Sequence, residues 1–113
     1  EVLKEDKITN RRYSLGLNNE VVEIVSKHKF AIGYAEVAYV DNTVKTLTLA
    51  ENPNTPGVLP ELKNLKDQTY PLTRPLYLLI KEDAKANVKD FLNFILSPEG
   101  QTVLEDIQYA PIT

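Results

Sequence analysis

The sequence contains no cysteine, no methionine and a single histidine. Without thiols there can be no disulfide, no zinc thiolate and no cysteine nucleophile. With one imidazole, His28, no pair of histidines can hold a metal within one chain, and a place at a helix end makes it a surface residue. The four glycines are scattered, so no glycine-rich loop cradles a phosphate. Long apolar runs are missing too: the longest, Leu76 to Ile80, falls far short of the ~20 residues that cross a bilayer. No basic stripe marks a nucleic-acid surface, since Arg11–Arg12 and Lys27–His28–Lys29 are the densest basic spots and the net charge is −3. A start at Glu1 with no methionine suggests a processed or excised piece, and zero cysteine suits an oxidising extracytoplasmic setting as well as the cytosol.

What is present is a globular balance: 113 residues, 42% hydrophobic and 26% charged, enough for one domain with a core. Glu1–Ile8 reads as the tail of a helix and Thr9–Tyr13 as a loop. Asn18 or Asn19 can cap a following helix, with Glu20 at the positive end of its dipole. Leu17, Val21, Ile24, Val25 and His28 fall on one face of it, and it should end near Lys27 to Lys29. Phe30–Ala35 has the length and apolarity of a strand, with Gly33 marking a bulge or a close backbone approach. A turn of helix at Val37–Val40 and turn chemistry at Asp41–Asn42 come next. Val44–Leu49 is rich in β-branched residues and reads as another strand.

Ala50–Pro60 holds three of the seven prolines and is a surface excursion, with a helical turn expected over Leu59–Leu65. Tyr70–Pro75 is extended, because each proline moves its predecessor out of helix. Leu76–Ile80 is predicted to be a buried strand. The end is clearest. Val88, Phe91, Leu92, Ile95 and Leu96 repeat at helical spacing. Ser97 caps a new helix with Pro98 at its first position, and Val103, Leu104 and Ile107 form its apolar stripe. Alternating helices and strands make the fold class α/β or α+β.

No constellation for catalysis emerges. Ser14, Ser26 and Ser97 lack the Gly-x-Ser-x-Gly setting of an exposed nucleophile, and Ser97 is explained by its cap. The acid pairs Glu82–Asp83 and Glu105–Asp106 lie in solvent-facing stretches, where nothing separates their pKa values. Arg74 is the one charge set in an apolar neighbourhood, between Leu72 and Leu76. It can hold the carbonyl oxygens of a bend or grip an anion, and structural anchoring is the favoured role.

Four segments together carry a resemblance: Asn18–Val22 leading into Ala31–Ala35; Tyr70–Tyr77; Phe91–Gln101; and Tyr109–Ile112. In this order and spacing the chain, from about Asn18 to Thr113, resembles the C-terminal part of phosphate-binding proteins of ABC importers. The resemblance implies a type II periplasmic-binding fold, a mixed sheet flanked by helices in each of two lobes that close on an oxyanion. It implies inorganic phosphate as ligand of the whole protein, a membrane permease as partner, and no cofactor and no nucleic acid. It also implies an extracytoplasmic location, soluble or lipid-tethered. About 18–70 would belong to the second lobe, 70–76 would cross the hinge, and 77–113 would supply a return strand and the terminal helices. Members of that family grip the anion with a Ser/Thr-rich loop, an Asp, and an Arg followed by a Ser-Gly-Thr loop. Neither loop is found in this chain, so no ligand-binding residue carries over. An alternative is a stand-alone, self-associating or regulatory domain that reuses this half of the fold.

Overall fold

The computed structural model describes residues 11–112. The helix tail expected at Glu1–Ile8, and the first residues of the loop that follows, lie outside that range. The chain divides into two units, Glu1–Val44 and Lys45–Thr113.

In the first unit, α1 spans Asn18–Lys27. Its start is set differently from the expectation that an asparagine caps it. Leu17 is the N-cap residue, and its backbone N–H donates to the Glu20 carboxylate 3.3 Å away, so an acid in the first turn does the capping. The Asn18 side chain is used elsewhere: its Oδ1 accepts the backbone N–H of Glu36 at 3.1 Å. That bond ties the segment after α1 back onto its first turn. The buried residue of α1 is Val22, 7% exposed. Val21, Ile24 and Val25 are half-buried, while Leu17 and His28 at the two ends are exposed. The inner face is thus centred nearer Val22 than the i, i+3, i+4 pattern indicated. Gly33 does mark a close approach, since a Cβ there would lie 2.8 Å from Val21 Cγ1 and 2.9 Å from Val25 Cγ2. A 3₁₀ turn follows at Val37–Tyr39, and Asp41 accepts the N–H and hydroxyl of Thr43, as its turn chemistry suggested.

The second unit opens with a proline-rich excursion closed at its base by one antiparallel bridge. Leu49 and Val58 exchange N–H···O bonds of 2.9 and 2.8 Å. Asn52 folds the tip, its Oδ1 accepting the N–H of Asn54. The short helix α2, Leu62–Lys66, ends on Gln68 at φ 60°. Asp67 then accepts the N–H and hydroxyl of Thr69, and Asn64 spans the turn by donating to Leu59 O and accepting from Tyr70 N. Helices α3 (Ala86–Leu96) and α4 (Pro98–Asp106) pack on each other across the single residue Ser97.

The expected strands are the main correction. Among the described residues no strand is formed at Phe30–Ala35, Val44–Leu49 or Leu76–Ile80, beyond the single bridge at Leu49. The supposedly buried strand Leu76–Ile80 is exposed throughout, with Leu79 at 93%, and Phe30 is 94% exposed. The reason is physical: an apolar run becomes a strand only where another backbone supplies its hydrogen bonds and another surface covers its faces.

Candidate functional site

The most closely organised part of the molecule is the junction from Phe94 to Gln101, and its residues can be read one by one. Ser97 ends α3 and begins α4. Its Oγ donates to Phe94 O at 2.6 Å and accepts the N–H of Gly100 at 3.2 Å, so one hydroxyl serves the last carbonyls of one helix and the first donors of the next. Pro98 occupies the first helical position, where a missing N–H costs nothing. Gly100 is buried because α4 crosses directly over the end of α3. A Cβ there would stand 2.2 Å from Phe94 O and 2.7 Å from Ile95 O. Gln101 is 4% exposed, and both ends of its amide are engaged: Nε2 donates to Ile95 O at 2.8 Å and Oε1 accepts the N–H of Ile112 at 2.7 Å.

The far end of α4 is closed with equal economy. Gln108 takes a left-handed conformation, φ 66°. The N–H of Gln108 donates to Glu105 O and that of Tyr109 to Leu104 O, both at 2.9 Å, which is a Schellman closure built without glycine. The chain then returns to Gln101 and buries Pro111. A shallow, open groove of about 200 Å³ beside this return is lined by Pro98, Gln101, Thr102, Glu105 and Pro111.

The residues singled out as candidates are not gathered into one site. Arg74 is exposed, just after the turn in which the N–H and hydroxyl of Thr73 both donate to Tyr70 O. Burial pushes the Tyr70 phenol above its ordinary pKa. His28 is exposed at the end of α1, Ser26 bonds back to Glu23 O within that helix, and Ser14 is exposed. Glu82, Asp83, Glu105 and Asp106 are all exposed. Glu23 pairs with Lys27 one turn on, and the hydrogen bond and charge of Lys27 hold its carboxyl below the usual range. Among the described residues no group of three or more acids and histidines could hold a metal. Nor is any described helix long and apolar enough to cross a membrane.

Sequence reasoning found the Ser97 cap but missed the work of Gly100, Gln101, Gln108 and Asn18. Only Gly100 left a signal, a glycine two residues after a proline inside a predicted helix, where it is costly unless contact requires it.

The sequence has known relatives. Residues 2–99 match a family profile described as a PBP superfamily domain. A protein named phosphate-binding protein PstS 2 from Streptococcus agalactiae is 35% identical over 89 residues, 78% of this chain and 28% of that protein. Protein SphX of Synechococcus elongatus is 34% identical over 100 residues, covering 84% of this chain and 29% of its own. Phosphate-binding protein PstS of Pseudomonas aeruginosa is 32% identical over 96 residues, 81% of this chain and 30% of that protein. The chain therefore spans about three tenths of the length of the curated relatives it matches. No solved structure matches it significantly.

Proposed function

We propose, on the premise that the chain belongs to the PBP superfamily, that it is part of an extracytoplasmic solute-binding protein that captures phosphate for an ABC importer. The observation that carries this reading is the match of about four fifths of the chain to proteins named for phosphate binding. In such a protein this chain supplies framework and not grip. It lacks the loops that the family's pattern assigns to the anion, and its best-built feature is a helix junction in which Ser97 and Gln101 bond to the chain's own backbone.

The mixed sheet belongs to this proposal. Segments 30–35, 44–49 and 76–80 become strands when the rest of the fold lies beside them. Each large side chain covered there contributes roughly 1.5–3 kcal/mol that it forgoes in water. Residues 18–70 serve the second lobe, 70–76 cross the hinge, and 77–113 return to the first lobe with α3 and α4. Arg74 anchors the crossing, its planar guanidinium holding carbonyl oxygens of the bend. Arg74→Lys then lowers the urea midpoint of the chain, and an unchanged midpoint removes the role. The permease of the importer is the partner of the whole protein. Chains lacking the covering surface self-associate through the same apolar segments, which sedimentation at several concentrations reads directly. The comparisons do not support a stand-alone regulatory domain.

A chimera tests the reading. In the Streptococcus agalactiae relative, the matched part is replaced by this chain, and phosphate binding is followed by calorimetry. The chimera is expected to bind phosphate, and the isolated chain to show no Kd near micromolar. A folded chimera that leaves phosphate unbound, or tight binding by the chain alone, overturns the proposal.

A further inference from the structure

We infer that Gln101 is a latch that straps the segment Tyr109–Ile112 across the α3–α4 hairpin, so that the strap's position depends on one buried amide. The geometry is unusually complete for a single side chain. Gln101 lies one turn into α4, 4% exposed, and reaches in two directions. Its Nε2–H donates to Ile95 O, one of the α3 carbonyls left without a partner where that helix ends. Its Oε1 accepts the N–H of Ile112, eleven residues further along the chain. An amide offers a donor and an acceptor from the same planar end without carrying charge at any ordinary pH. The latch thus joins the end of one helix, the start of the next and the returning strap at one point.

The rest of the strap supports this division of labour. The left-handed turn at Gln108 and the bond from Tyr109 N to Leu104 O aim the chain back towards the first turn of α4. Pro111 is buried and has no N–H to offer, so the bond at Ile112 is where the returning backbone is pinned. If the amide lets go, Ile95 O and Ile112 N–H must find water, and the groove between Pro98, Thr102, Glu105 and Pro111 opens on its strap side. Nothing in the latch depends on phosphate, so it stands or falls separately from the proposed function.

Gln101→Glu is the discriminating variant, because its protonated acid offers one donor and one acceptor as the amide does, whereas its carboxylate cannot donate to Ile95 O, is repelled by that carbonyl oxygen and is thereby displaced from the position that accepts the Ile112 N–H. Hydrogen exchange at the Ile112 amide, corrected for the intrinsic pH dependence, is followed in the original chain and the variant. Protection is expected to fall about tenfold in Gln101→Glu at pH 7 and to return near pH 4, where the acid is protonated. Gln101→Leu, of similar size and without polar atoms, is expected to lose the protection at both pH values. Amides within α3 and α4 should keep theirs in both variants. Unchanged Ile112 protection in both variants overturns the latch. So does a loss at pH 7 that acid does not restore, and so does a loss that spreads equally through α3 and α4, which would make Gln101 ordinary core.

Discussion

The hairpin of α3 and α4 and the apolar segment 76–80 lie within one unit of the chain and both leave large apolar side chains in solvent, Phe91 and Phe94 as well as Leu79, yet their backbones end in opposite states. The hairpin satisfies its backbone from within: Ser97, Gly100 and Gln101 resolve the two helix ends that meet there, and Gln108 closes the third. Leu76–Ile80 is the most continuously apolar stretch of the sequence and remains uncovered, as does Phe30–Tyr34 in the other unit. Helices are local objects, with each N–H bonded four residues back, so a short connection is enough to complete them. A strand has no internal partner. Its order is decided by another segment, and hydrophobicity cannot substitute for that.

The contrast can be broken most severely at Gly100. Gly100→Ala places a methyl against two backbone carbonyls that cannot step aside, and is expected to destabilise the hairpin by on the order of 3 kcal/mol. Loss of far-UV helical signal and a lowered urea midpoint would show it, and an unchanged midpoint would mean the two helices do not cross so closely. Next is the shared cap. Ser97→Ala removes the acceptor for Gly100 N–H and should cost about 1 kcal/mol, read as an earlier urea transition. Ser97→Asp, which keeps an acceptor, should recover most of it.

Leu79→Lys probes the other side of the comparison. Leu79 is almost wholly in solvent, so the change should move the stability of the chain by no more than about 0.5 kcal/mol. In the chimera, where segment 76–80 is proposed to be a covered strand, the same change should cost several times as much. Equal small effects in both settings would leave the segment without a sheet to join.

The smallest effect concerns acid. The Thr43 hydroxyl and then its N–H hold the Asp41 carboxyl below the usual range, and Thr69 does the same for Asp67 with a lesser contribution from Lys63. A depressed folded pKa means that the stabilisation is present above the unfolded value, near ~4 for Asp, and is lost as pH falls through the lower folded value. Both carboxyls are fully exposed, so water screens most of the effect. The amide resonances of Thr43 and Thr69 should shift together only below about pH 4, while those around Ser97 stay in place. A midpoint at or above the ordinary Asp value would show that these turns do not form in solution.

How much of this was legible depended on range. Pro98 at a first helical position, the hydroxyl at Ser97 and the 3.6-residue spacing of Val88, Phe91, Leu92 and Ile95 are local signals, and they placed α3 and α4 correctly. Gly33 was legible as a close approach, though not what it approaches. Asn18 was misread because a side-chain acceptor at the start of a helix has two uses: it can cap its own turn or take a distant N–H, and Glu20 already held the first role.

The sequence by itself determined where α1, α3 and α4 form and the Ser97 cap between the last two, because their hydrogen bonds and apolar faces recur within a few residues of each other. It also determined the family to which the chain belongs, through segments whose order survives at about one identity in three. Only the tertiary structure decided that Gln101 would be buried and doubly bonded, that Asn18 would reach Glu36, and that three apolar segments would form no ladder. Those outcomes turn on which surfaces and backbones meet. A residue's own neighbours in sequence carry no record of that when the meeting point lies eleven or eighteen positions away.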